Sequence, residues 1–209
     1  MGSSRFARRV AVGLLAGATA VGLSVSAGAA SAAPQTRQPL TGSTPKWLPF
    51  ARDMGTTVST DPVNFGVLLG MRDESGAAAT LKAVTDPHSA SYGHYLTNKQ
   101  FDTRYAPDPS SVAAVRNWLK DQGFKVTKTL PSGMYVAVSG TVGQVETTFG
   151  SKIHNYSYQG KQVYANTSQL SLPAGTPAAV TGAISGVIGV DQSIAYDFDD
   201  RYPITPASF

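Results

Sequence analysis

Residues 108–149, DPSSVAAVRNWLKDQGFKVTKTLPSGMYVAVSGTVGQVETTF, carry the strongest folding signals of the chain. Asp108-Pro109 is a typical helix start, because aspartate accepts backbone hydrogen bonds at the N-cap and proline fits the first helical position. Apolar residues then recur at helical spacing until Gly123, which favours a left-handed helix end. The pattern predicts a helix over 109–122.

Two strands and a second helix follow in the same segment. Residues 124–130 and 134–139 alternate apolar and polar side chains, as half-exposed strands do, and the turn residues 131–133 lie between them. Thr141 and Gln144 match a capping box, so they predict the start of a helix. Helix, strand, strand and helix in this order are typical of an α+β sandwich.

The segment before residue 108 continues this pattern. An apolar run at 64–71 predicts a buried strand, and the spacing of apolar residues over 77–84 predicts a helix. Thr97 and Gln100 form a second capping box, which predicts a helix over 98–105.

The segment after residue 149 is strand-like. Residues 153–158 and 162–165 flank Gln159-Gly160, which can form a tight hairpin turn, and 187–190 is a final short apolar run. We expect an α+β fold of the ferredoxin-like, split β-α-β kind, with a mainly antiparallel sheet and helices on one face. In this fold, residues 153–158 would form the last strand of the second β-α-β unit. They would directly follow the helix that begins at Thr141.

The first 32 residues have the pattern of a secretory signal peptide. A basic start is followed by the uncharged segment 10–25, and Ala30 and Ala32 form a small-residue cleavage motif before Ala33. The uncharged segment is shorter than the roughly 20 apolar residues of a membrane span. We therefore expect a secreted, extracellular protein that does not stay in a membrane after signal removal.

The net charge of the whole chain, +4, comes chiefly from this leader. Removal of its three arginines leaves 14 basic against 13 acidic residues, a net charge of +1. No run of Lys and Arg marks a nucleic-acid-binding face, so we expect no nucleic-acid partner.

Composition divides the rest of the chain into three parts. Residues 33–46 contain three prolines and predict an extended linker, and 47–195 hold the folding signals described above. Residues 196–209 lack periodicity and predict a connector or tail, whose charged residues are Asp197, Asp199, Asp200 and Arg201.

No recognisable catalytic or metal-binding pattern occurs in the chain. It contains no cysteine, which excludes a thiolate zinc site and a cysteine nucleophile, and its three histidines show no metal-ligand spacing. Asp86, Asp102 and Asp108 are best interpreted as cap and turn residues. These absences favour a binding or inhibitory module over an enzyme.

The loop after the first helix carries a more specific signal. Residues 84–97, VTDPHSASYGHYLT, resemble the "sDP.sp.YG.yLt" signature of the activation propeptide in the sedolisin/kumamolisin family of secreted serine-carboxyl peptidases. Three further motifs follow in the same order as in that family: an "aP" at Ala106-Pro107, a "v..WL...Gf.v" unit over 115–126 and a "v.gtv...e..F" unit over 138–149. The resemblance extends over about residues 63–190.

The resemblance implies an N-terminal propeptide that assists peptidase folding, blocks the active site and is removed on acid activation. Its partner would be the cognate peptidase domain, in cis or in trans. Because the catalytic residues and calcium ligands of the family lie in the peptidase domain, which we expect to be absent from this chain, no catalytic residue or cofactor is assigned. The alternative is a stand-alone extracellular protease inhibitor or another binding module.

Two groups of residues are candidates for contact with that partner. The first belongs to the family motifs and comprises Asp86, Pro87, Tyr92, Gly93, Tyr95, Leu96 and Trp118. Aromatic residues of this kind dominate protein interfaces, although Tyr92 and Leu96 could equally fill gaps in their own domain. The second is the acidic tail, and we hypothesise that its aspartates occupy the peptidase cleft and release it when they are protonated.

Overall fold

An antiparallel four-stranded sheet lies at the centre of the structure, a computed structural model that describes residues 36–192. In chain order the strands are β1 (Gln38–Pro39), β2 (Arg52–Thr56), β3 (Pro62–Leu69), β4 (Lys125–Thr129), β5 (Tyr135–Thr141), β6 (Ile153–Tyr158), β7 (Lys161–Asn166), β8 (Ser171–Leu172) and β9 (Ile184–Ile188). The helices are α1 (Glu74–Thr85), α2 (Asn98–Tyr105), α3 (Pro109–Asp121), α4 (Val142–Phe149) and α5 (Ala178–Thr181), and a short 3-10 helix spans Leu48–Phe50.

The central sheet has the strand order β4-β5-β3-β9, with antiparallel pairing between all neighbours. Its register places Phe65 opposite Val138 and Val67 between Val136 and Val187. These apolar side chains share one face, on which α3 and α4 pack. The predicted α+β fold with an antiparallel sheet and a helical face is confirmed.

The strand that completes this sheet differs from the predicted one. We expected residues 153–158 to complete the second unit, but β9 occupies that position and β6 belongs to a separate sheet, β2-β6-β7. The reason is the hairpin: Gln159 and Gly160 both have positive φ, 50° and 76°, which suits a tight turn and makes β7 the direct partner of β6.

The core is built around three phenylalanines from different elements. Phe65 of β3 contacts Phe124 and Phe149 edge-on, with ring centroids 5.1 Å and 5.8 Å apart. Trp118 of α3 packs on Phe149 at 6.3 Å and is 6% exposed. Such edge-to-face contacts bring α3 and α4 onto the same face of the sheet.

The chain before residue 47 is not simply a linker. Within its described part, β1 pairs with β8 and Leu40 lies in the hydrophobic core at 7% exposure. The three prolines suggested an extended conformation, and that conformation is compatible with a short edge strand. The expected signal cleavage site at Ala30, Ala32 and Ala33 and the tail residues 196–209 lie outside the described residues.

Asp108 occupies the N-cap position of α3, as predicted, but its side chain makes no capping hydrogen bond. Its carboxylate instead forms an ion pair with Arg72, at 3.3 Å. Arg72 also donates to the carbonyl of Ala106, so it holds the connection between α2 and α3.

Among the helices of residues 36–192, none has the length and apolar character that a membrane span requires.

Candidate interaction surfaces

The face of the central sheet that points away from the helices is the first candidate surface, and we call it the outer sheet face. Strand alternation places Asn64, Gly66 and Leu68 of β3 there, paired with Ser139, Ala137 and Tyr135 of β5. At one edge, β9 adds Ile188, whose side chain is 48% exposed. At the opposite edge β4 contributes Lys125 and Lys128, so the centre of the face is uncharged and one rim is basic.

Tyr135 covers part of the outer sheet face. A side chain at Gly66 would collide with the Tyr135 ring, which therefore lies across the strand above the glycine. The absence of a β-carbon at residue 66 allows this close approach. The ring gives the centre of the face an aromatic surface.

A groove runs between the outer sheet face and the segment 42–47 and has a volume of about 770 Å³. Asn64, Gly66 and Ala137 contribute to its floor, and Trp47 lies in its wall. Within the described part of the chain, the charged residues that line it are Lys46 and Asp191. A largely uncharged groove of this size suits a small ligand or a projecting part of a protein partner.

The described chain ends beside this groove. Asp191 lines the groove, and the N–H of the next residue, Gln192, donates to the carbonyl of Tyr164 in β7 at 3.0 Å. The remaining residues of the sequence, 193–209, therefore continue from a point next to the outer sheet face.

The loop between α1 and α2 is the second candidate surface, and it contains most of the predicted contact residues. Tyr92 and Tyr95 are 53% and 67% exposed, whereas Leu96 is half-buried. Gly93 has a φ of +74°, and its N–H donates to the carbonyl of Val84, which turns the loop back towards α1. The loop therefore presents two aromatic rings to solvent.

The other predicted contact residues are divided between the loop and the core. Asp86 ends α1 and accepts a hydrogen bond from the N–H of His88 at 2.9 Å, and Pro87 is exposed. Trp118 lies in the core instead, because its ring packs on Phe149. It is not available to a partner, and its place in the family motif reflects packing.

Three carboxylates of the described residues have lowered pKa values, and that of Asp73 is lowered by hydrogen bonds from the Gly76 N–H and the Ser75 hydroxyl at the start of α1. The other two, Asp53 and Glu146, are each paired with a basic side chain. The Gly55 N–H and the ring of His154, which is 2.8 Å from the carboxylate, hold the pKa of Asp53 below its ordinary value of 3.8. Burial raises the pKa of Glu146, but hydrogen bonds from Lys152 and the Ile153 N–H, with the charges of Lys152 and His154, outweigh it and leave this pKa below 4.5. Both pairs lie at the three-stranded sheet.

Sequence reasoning did not find the groove or the edge strand β2. All five residues of β2 are exposed and include Gly55, so no alternation of apolar residues signals a strand. Trp47 is the one hint of the groove wall, since an isolated tryptophan next to an apparent linker needs a packing partner.

Among residues 36–192, no group of three or more acidic or histidine side chains is arranged to hold a metal ion.

Comparisons with known proteins found a matching family model and several similar proteins. The model of the family described as "Pro-kumamolisin, activation domain" matches residues 51–193. Xanthomonalisin from Xanthomonas sp. (strain T-22) is 31% identical over 131 residues, which are 63% of this chain and 15% of that protein. Sedolisin from Pseudomonas sp. (strain 101) is 31% identical over 126 residues, which are 60% of this chain and 21% of that protein.

A more distant match is tripeptidyl-peptidase sed1 from Aspergillus fumigatus, 27% identical over 82 residues, which are 38% of this chain and 13% of that protein. The alignments therefore span about a fifth or less of the curated relatives that the chain matches.

Proposed function

We infer that this chain, which belongs to the pro-kumamolisin activation domain family, is the N-terminal propeptide of a secreted sedolisin-type serine-carboxyl endopeptidase. It would assist the folding of the peptidase domain, cover its active site and be removed on acid activation. The observation that carries this proposal is the match of the family model over residues 51–193, which is most of the described chain.

The surfaces of the domain support this role. We assign the outer sheet face to contact with the peptidase domain, because its uncharged centre leaves few charges to desolvate on binding. Lys125 and Lys128 at the rim would face acidic groups of the partner and steer its approach. Tyr92 and Tyr95 would add aromatic anchors from the loop.

The connector supports the same assignment. The described chain leads towards it through Gln192, next to the groove, and residues 196–209 include three aspartates and two prolines. We propose that the connector enters the peptidase cleft from the docked domain, so that one chain supplies both a folded anchor and an extended inhibitory segment. Joining two contacts in this way raises the effective concentration of the second.

An inhibition assay tests the proposal. The chain from residue 33 is added in trans to an active sedolisin-type peptidase, and hydrolysis of a peptide substrate is followed from pH 3 to pH 7. We expect inhibition that is tightest near pH 7 and weakens towards pH 3. A protease of an unrelated class is the control and should be unaffected.

A refolding assay tests the second half of the role. Urea-denatured peptidase domain is diluted into neutral buffer with and without the chain, and recovered activity is measured after the chain is released by acid. Greater recovery with the chain supports folding assistance. Failure to inhibit at any pH, together with no effect on refolding, would contradict the proposal and favour another kind of binding module.

A further inference from the structure

Residues 36–47, which we call the strap, lie before the segment that the family model matches. The family model begins its match at residue 51, after the strap has ended. The strap nevertheless contacts elements near the other end of the domain, through β1 and β8. Its role therefore has to be derived from its contacts.

The first half of the strap is anchored by a buried leucine and an arginine. The Arg37 guanidinium donates to the hydroxyl and the carbonyl of Ser171, both at 2.8 Å, and to the carbonyl of Thr148. Leu40 is 7% exposed, and its N–H donates to the carbonyl of Leu170 at 2.8 Å. These contacts close the side of the core that contains Leu170 and Leu172, which are 1% and 0% exposed.

The second half of the strap is anchored separately. The side-chain amide of Asn166, a residue that is 1% exposed, donates to the carbonyl of Ser43 at 2.8 Å. The Ser43 hydroxyl accepts from the Leu170 N–H, also at 2.8 Å. Trp47 stacks on Tyr158 with ring centroids 5.1 Å apart and forms the wall of the groove.

The backbone between the anchoring residues of the strap is exposed to solvent. Thr41, Gly42, Thr44 and Lys46 are exposed, and Gly42 has a φ of +82° and open space on the side where a β-carbon would project. Exposed links of this kind are the preferred sites of proteolytic nicking. A cut after Pro45 would leave Arg37, Leu40 and Ser43 on a short fragment held only by non-covalent contacts.

We propose that the strap is a latch with a processing site at residues 41–46, and that an endopeptidase acting there unlocks the domain. This proposal rests on the proposed function and concerns its regulation. Hydrolysis adds water across one peptide bond and leaves a carboxylate and an amine. The strap contacts then become bimolecular, so the fragment dissociates, Leu170 and Leu172 lose their cover, and the groove loses the part of its lining that Gly42, Ser43 and Thr44 supply, while Trp47 stays on the domain.

Cleavage of the latch at a single designed site is the direct test. The recognition sequence of a site-specific endopeptidase is inserted between Pro45 and Lys46, and the matched control carries it between Ala174 and Gly175 in the exposed turn before α5, which belongs to neither candidate surface. Each protein is compared before and after cutting. The three measurements are retention of the cut fragment, melting temperature and inhibition of the peptidase in trans.

We expect the strap fragment to dissociate, the melting temperature to fall by about 5 °C and the inhibition constant to rise about tenfold or more. Cutting the control loop should change the inhibition constant less than about twofold, because the contacts of that loop are local. Retention of the strap fragment, or its loss with melting temperature and inhibition unchanged, would overturn the latch.

Two further comparisons keep this test decisive. If the uncut chain does not inhibit the peptidase, the proposed function fails, whereas fragment release and melting temperature still test the latch. If the insertion prevents folding, Arg37→Ala replaces it, with Arg116→Ala on the exposed side of α3 as the control. Arg37→Ala should lower the melting temperature and weaken inhibition, and equal behaviour of the two variants would overturn the proposal.

Discussion

At the scale of single residues, Glu146 joins the helical layer to the second sheet. Its carboxylate accepts hydrogen bonds from Lys152 Nζ at 2.7 Å and from the Ile153 N–H at 2.9 Å, and its side chain is 13% exposed. Glu146 is part of the family motif over 138–149, but the motif alone does not predict which groups its carboxylate contacts. The structure shows that it holds the start of β6 against α4.

The lowered pKa of Glu146 makes a prediction about stability and pH. Its ionised form is favoured in the folded state, so its contribution is present above its ordinary pKa of 4.5 and is lost as the pH falls through the lower folded value. Glu146→Gln should therefore reduce the melting temperature at pH 7 more than at pH 3. Thermal unfolding from pH 3 to pH 7 measures the difference.

Asp121→Asn provides the control for this experiment. Asp121 lies at the end of α3, is exposed and forms no ion pair within the described residues. Asp121→Asn removes one negative charge without breaking an ion pair of the described residues, so it shows the effect of the charge change alone. If Glu146→Gln and Asp121→Asn shift the melting curve alike at every pH, Glu146 does not couple folding to pH.

At the scale of elements, two helices begin with the same capping box but differ in how they join the core. Thr97 and Gln100 cap α2, and Thr141 and Gln144 cap α4, with both reciprocal hydrogen bonds present in each. α2 buries one side chain, that of Tyr105, whereas α4 buries four. Loss of the cap should therefore destabilise only the helix itself in the case of α2. In the case of α4 it should destabilise the whole domain.

Thr141→Ala is expected to lower the free energy of unfolding by about 1 kcal/mol. Thr97→Ala should have a smaller effect on global unfolding, because α2 can fray while the core remains intact. Urea denaturation measures the global change, and hydrogen exchange shows the local one as lost protection confined to α2. Equal global destabilisation by both substitutions would contradict this division.

Elements with local signals could be predicted, and elements defined by distant partners could not. Capping boxes and Gly-containing turns depend on a few neighbouring residues, so the bounds of α2 and β6 follow from the sequence. The two-residue strands β1 and β8 exist only because they pair with each other across the chain. The assignment of β9 to the central sheet likewise depends on Val67, more than a hundred residues earlier.

The candidate surfaces also differ in whether neighbouring residues or distant partners define them. The loop with Tyr92 and Tyr95 could be predicted, because a run of small and aromatic residues between helices is exposed. The outer sheet face could be predicted only in part, since 124–130 and 134–139 alternate whereas the apolar run at 64–71 predicted a buried strand, and the groove could not be predicted. The groove needs the strap folded over the sheet, which depends on Arg37 meeting Ser171.

At the scale of the whole molecule, we predict acid sensitivity from two separable sources. One is internal, since Glu146 and Asp53 support the fold in their ionised forms. The other is the connector, whose three aspartates would be ionised at neutral pH, with ordinary pKa values of about 3.9. The first source changes the stability of the domain, whereas the second would change its affinity for the peptidase.

Combined replacement of the connector aspartates separates these sources. Because Asp197, Asp199 and Asp200 would pair with the peptidase cleft only when ionised, Asp→Asn at all three positions should weaken inhibition at pH 7 and leave it nearly flat down to pH 3. The melting temperature of the triple variant should keep the wild-type pH dependence. Glu146→Gln should do the reverse, flattening the pH dependence of melting while inhibition still weakens in acid. If inhibition by the triple variant falls between pH 7 and pH 3 as steeply as that of the wild-type chain, acid release does not come from the connector, and loosening of the folded domain would have to drive it.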